Sequence, residues 1–213
     1  MKKIFFLLFA MMGYQLSVNA QSDKYVSSMG ATLQQFAEAK DENAYTAAAA
    51  KFERIADAEK TQWLPYYYAA LVKARMAQQK MGGDPDKVSD DAQVLLDKAT
   101  ALSPANSEIF CVKYIILSAK LMVDPQSRYM KYMGEMSSTI ESAKKTDPTN
   151  PRPYTLQAIG LKYTPESFGG GCNTARPMAQ KAVELYGSFK PASPLHPNWG
   201  KETVDAIIAD CNK

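Results

Sequence analysis

Residues 92–110, AQVLLDKATALSPANSEIF, carry the end of one helix, a tight turn and the start of the next, and the same layout recurs on both sides of this stretch. With Pro104 as the turn, Ala92, Leu96 and Ala99 lie before it and Phe110 lies after it. A step of 44 residues forward finds Met136, Ile140, Ala143, Pro148 and Tyr154, and the same step back finds Ala48, Phe52, Ile55, Lys60 and Tyr66. Self-similarity at a fixed interval between about 20 and 50 residues marks stacked supersecondary units, each too thin to bury its own apolar face alone. The pattern predicts an all-α fold, an α-solenoid of about four antiparallel helix pairs at residues 24–60, 61–104, 105–148 and 149–190, closed by a C-terminal cap in 191–213.

The chain opens with Met1-Lys2-Lys3 and an apolar run from Ile4 to Met12. That run is well short of the ~20 residues needed to span a bilayer. It has the form of a secretory signal peptide cut after Ala20, which leaves residues 21–213 as one domain without a stable membrane span, periplasmic or secreted. The 25 basic and 22 acidic residues give a formal charge of +3, which loss of Lys2 and Lys3 brings close to neutral. There is no basic block, so charge offers no case for nucleic acid or an anionic membrane. Export makes disulfides possible for the three cysteines. A Cys172–Cys211 bridge would pin the terminal helix onto the last pair, leaving Cys111 as a small buried hydrophobe.

Apolar residues at helical spacing predict a helix over 24–40, from Val26 to Ala37, and a second from an Asp41 or Asn43 cap to Ala58. Trp63-Leu64-Pro65 starts a third helix that fades at Gln79, and a fourth runs from a Ser89 cap to Leu102. Asn106 or Ser107 caps a fifth, apolar nearly all round and expected at the centre; Asp124-Pro125-Gln126 stop it. A partner carrying Tyr129 to Ala143 follows, then a helix over 151–163, one capped by Asn173 or Thr174, a proline-rich tail over 191–197 and a closing helix over 202–211.

Ala92, Leu96, Ala99 and Pro104, with Ile140, Ala143 and Pro148, resemble the second-helix half-motif of the tetratricopeptide repeat family, whose small residues let helices approach closely. The first-helix half departs from it, since Lys113 and Tyr114 stand where the family has leucine and glycine. The Phe168–Gly171 and His196–Gly200 segments look like those of uncharacterised exported bacterial proteins of this repeat type. The resemblance implies that the first helix of each pair lines a concave face. Its register would put Leu64, Tyr67, Leu71 and Arg75 there in one unit, Glu108, Cys111, Ile115 and Ala119 in the next, then Arg152, Thr155, Ile159 and Lys162.

Little in the chain suggests catalysis. Its one histidine, His196, sits between prolines, so no two-histidine metal site can form. Gly169-Gly170-Gly171 precedes a helix but lacks the lysine and hydroxyl of a phosphate loop and reads as a flexible turn. Asp84, Asp86, Asp90 and Asp91 lack the ordered glycine and glutamate of a calcium loop. Met130, Met133 and Met136 could in principle hold Cu(I), but methionines at helical spacing are usually core filling. No enzyme, metal or cofactor is expected.

The leading expectation is therefore an exported scaffold that grips a peptide or protein partner through Tyr67, Leu71, Arg75, Glu108, Ile115, Arg152, Thr155 and Lys162. The alternative is a small-molecule carrier or binding component with an apolar pocket between the stack and the Phe168–Gly171 loop. The oligomeric state is not encoded in any motif.

Overall fold

Four helices begin at an Asp or Asn whose side-chain oxygen accepts a backbone N–H of the first turn: Asp41, Asp84, Asn106 and Asp124. Each supplies one of the bonds that a helix start leaves unmade. The computed structural model describes residues 22–213. In chain order its helices are α1 (Asp23–Glu38), α2 (Glu42–Ala58), α3 (Trp63–Gln78), α4 (Pro85–Leu102), α5 (Ser107–Val123), α6 (Pro125–Thr146), α7 (Arg152–Tyr163), α8 (Cys172–Ser188) and α9 (Lys201–Cys211), with a 3-10 turn at Glu166–Phe168. No strand occurs among the described residues. The expected signal peptide lies outside them.

Two boundaries differ from expectation for one reason, proline in the first turn. Pro85 and Pro125 each follow an aspartate cap and have the fixed φ that a helix start needs. So α4 begins four residues before Ser89, and α6 begins at once after α5 with Asp124 serving as the end of one and the cap of the other. At α8 neither Asn173 nor Thr174 is the cap; Gly171, at φ 88°, takes that place.

Each helix packs on the next, and α3 also touches α5, α5 touches α7, and α7 touches α9. The most enclosed element is α3 rather than α5, with 12 of its 16 residues buried. It lies among α2, α4 and α5, and the chain's own tail closes over Tyr67 and Tyr68. The main core runs from Tyr25 through Phe52, Leu71, Leu96 and Ile116 to Leu195. A second cluster joins Ala158, Ala179 and Ala182 to Val204 and Ile207 of α9. There Cys172, first in α8, is bonded to Cys211, last in α9, with the Cα atoms 5.2 Å apart.

Residues 189–200 return across the α3, α5 and α7 side of the molecule. Tyr68 Oη donates to the Leu195 carbonyl at 2.9 Å, Trp199 Nε1 donates to Tyr67 Oη at 2.9 Å, and Tyr186 Oη donates to the Trp199 carbonyl at 2.7 Å. Gly200 ends the segment at φ 103°, where an added Cβ would collide with the Tyr186 hydroxyl.

Candidate functional site

The residues expected to form an open binding face are mostly interior. Tyr67, Leu71, Ile115, Arg152 and Thr155 are fully buried. Glu108 accepts bonds from Arg152 Nε at 2.7 Å, Asn150 Nδ2 at 2.6 Å and Tyr67 Oη at 3.2 Å. Burial would pull the Arg152 guanidinium down, but the bonded Glu108 carboxylate outweighs this and holds it above its ordinary value. Its plane also faces Phe189 at 4.5 Å and Trp199 at 5.6 Å. Lys162 pairs with Asp210 on α9. These side chains tie units and tail together; of the eight, Arg75, Ile115 and Thr155 line a cavity, and Arg75 alone among them is charged.

The open space lies elsewhere. A groove of about 470 Å³ is enclosed by the C-terminal half of α5, the middle of α6 and the C-terminal half of α7. That volume falls within the roughly 300–1,000 Å³ of small-molecule sites. Its walls are Tyr114, Leu121 and Met122 from α5, Met133, Met136 and Ile140 from α6, and Ile159, Leu161 and Tyr163 from α7, with Gln78, Ser118 and Gln157 among its polar groups. No charged side chain lines it. The glycine-rich loop lies beside this groove, not in its wall; Tyr163 and Thr164 are its nearest lining neighbours in the chain.

Around the mouth apolar side chains stand in solvent. Met122 and Tyr163, the latter 76% exposed, line the groove itself. Val123, Tyr129, Met130 and Phe168 are exposed on adjoining turns, and the Tyr129 and Phe168 rings meet at 6.5 Å. Such clustering marks a binding surface more often than chance. The methionine series divides here: Met136 is buried, Met133 partly so, and Met130 is 89% exposed. Met133 and Met136 are groove wall, and the three do not converge on one metal position.

Sequence periodicity missed Tyr114, Gly160 and Tyr163. Burial pushes the Tyr114 hydroxyl up to about 12, so it remains a neutral phenol. Gly160 makes room for it, since a Cβ there would come within 2.5 Å of Tyr114 Oη. For metal affinity the groove offers only thioethers and phenols; no histidine or cysteine lines it. His196 accepts or donates at Ser193 Oγ, 2.8 Å away, and its ring meets Trp63 at 5.9 Å. Cys111 is fully buried, its thiol pushed up by burial.

A second groove of about 340 Å³ adjoins the first and shares Gln78, Tyr114, Ser118, Ile159 and Gly160 with it. Arg75 and Trp199 lie in its wall. A third depression of about 480 Å³, between α1 and α2, is a charged surface cleft lined by Lys24, Lys51, Arg54 and Glu59.

No known family model matches the chain. No curated protein matches it either. Among solved structures, the HusA haemophore from Porphyromonas gingivalis superposes with a TM-score of 0.78 at 32% sequence identity, over 90% of this chain and 94% of that one. The all-α fold expected from the sequence is present among the described residues, but the tetratricopeptide assignment gains no support from any family model. The expectation of a scaffold for a peptide or protein partner is overturned by this relative, which is a haemophore. Its structural reason is visible in the face chosen for that partner, which residues 189–200 of the same chain already cover. With this identity extending over nearly the whole of both molecules, the chain belongs to the family of the HusA haemophore.

Proposed function

We propose that this protein is an exported, non-catalytic carrier of a flat, largely apolar small molecule of the haem class, held in the groove between α5, α6 and α7. The observation that carries this is the groove itself: uncharged, walled by aliphatic, thioether and aromatic side chains from three helices, in a relative of a haemophore. A macrocycle loses its apolar faces to water when free, and burial stabilises it by roughly 25 cal/mol per Å² of apolar surface. Leu121, Ile140 and Ile159 offer close-packed aliphatic contact, while Met122 and Met133 can adapt to the outline of the ligand. Tyr163 at the mouth can lie against a ring face. Iron, where the cargo contains it, would find Met or Tyr donors only, so most of the affinity must come from the macrocycle.

The order of contacts, with α3, α5, α7 and α9 touching in succession, supports helix pairs piled in one direction as an α-solenoid. The signal-peptide pattern of residues 1–20 supports export; no helix among the described residues is long and apolar enough to cross a membrane. Titration of residues 21–213 with haemin, followed in the Soret band, tests the function. Saturable one-to-one binding is expected, weakened at least about tenfold by Met133→Glu with the helical signal unchanged. Absence of saturable binding, or equal binding by the variant, defeats the proposal.

A further inference from the structure

Resting on the carrier function above, we propose that Arg75 is the receptor for a carboxylate of the carried molecule, so that the protein selects acidic flat ligands over their neutral esters. Arg75 is the one charged side chain in the wall of either adjoining groove. Its guanidinium lies over the rings of both Phe36, at 5.3 Å, and Trp199, at 5.4 Å. These aromatic contacts fix the plane of the donor fork and leave its edge for an anion.

No carboxylate among the described residues forms an ion pair with it, whereas Arg128 has Asp86 and Arg152 has Glu108. The ionisable neighbours that act on it are the phenols of Tyr67 and Tyr45, and burial lowers its pKa from the ordinary arginine value. A mostly desolvated cation without a counter-ion is a burden on the folded state, relieved when a ligand brings the missing charge. The polar side chains around it suit the rest of a carboxylate: Gln79, Ser118 and Thr203 line the same cavity. Gln78, one helical turn beyond Arg75 on α3, lines both grooves. A rigid molecule with an apolar body in the larger groove and an acidic edge toward the smaller one would satisfy both.

The test compares a metal-free tetrapyrrole diacid, protoporphyrin, with its dimethyl ester, so that iron ligation does not enter. Binding to the mature chain is read by quenching of tryptophan fluorescence, and melting is recorded in parallel. The wild type is expected to hold the diacid about tenfold or more tighter than the ester, as for a charge-assisted hydrogen bond. Arg75→Gln should bring the diacid down to the ester's level and leave the ester unchanged; Arg75→Lys should keep part of the preference. Equal binding of diacid and ester by the wild type removes this role while leaving the carrier function intact. A preference that survives in Arg75→Gln removes it too, as does equal weakening of both ligands, which would make Arg75 a strut between α1 and the tail. A wild type that binds neither defeats the carrier function, and this role with it. Should Arg75→Gln fail to fold, the ester comparison on the wild type and the Arg75→Lys variant still decide.

Discussion

Arg152 bonds both carboxylate oxygens of Glu108 across 44 residues of chain, joining equivalent positions of successive helix pairs. The arginine side chain is 1% exposed and the glutamate 12%. Removing one member of a buried pair strands the other, which costs about 3–5 kcal/mol. Glu108→Ala should therefore lower the melting temperature by roughly 10 °C for a chain of this size. It would also leave the Tyr67 hydroxyl without its acceptor and Asn150 Nδ2 with Ser107 Oγ alone. A fall of only a degree or two in calorimetry would show the pair to be dispensable.

The Cys172–Cys211 bond closes 39 residues of sequence. In the chain-entropy picture a loop of that length contributes about 4 kcal/mol. A Cys172→Ser, Cys211→Ser double variant should melt well below the wild type and exchange the amide hydrogens of α9 faster than those of α3. Uniform exchange rates across both helices would contradict a local clamp.

Gly160 lies inside α7, where alanine is ordinarily better by roughly 0.5–1 kcal/mol. Its missing Cβ is filled by the Tyr114 hydroxyl. Gly160→Ala is expected to keep the melting temperature within a few degrees while driving Tyr114 into the groove and weakening haemin at least about tenfold. Unchanged affinity would place the ligand away from this wall.

His196, the only histidine, lines neither groove, so His196→Ala should leave the Soret spectrum of bound haemin unaltered. Burial lowers its pKa below the ordinary 6.5. Between that depressed value and 6.5 the unfolded chain binds more protons than the folded one, so stability rises with pH across this window and is level above it. The alanine variant should lack this slope in urea titrations between pH 5 and 7, and an identical slope in both would assign it to other groups.

The helices were legible because their cause is local: apolar residues at helical spacing, and caps such as Asp41 and Asn106 that act within one turn. Pro85 and Pro125 misled only because a first-turn proline looks the same as one that ends a helix. The site was hidden for a different reason. Met133 and Met136 sit at spacings that suit a core, and whether a wall is filled or left open depends on what α7 places opposite. Gly160 and Tyr114 decide that, 46 residues apart, with no mark in either local pattern. Arg75 is reached only through the register of the repeat-family resemblance, and for a partner the tail excludes.

By folding residues 189–200 over Tyr67 and Tyr68, the molecule acts as its own guest on the side where helical-hairpin proteins commonly receive others. A version ending before Pro191 would bare Trp63, Tyr67 and Tyr68 together, and would lose α9 with its Cys172–Cys211 bond as well. Such a shortened protein would gain a sticky aromatic flank and clump in storage, while tags appended after Lys213 sit beyond α9 and leave that flank shielded.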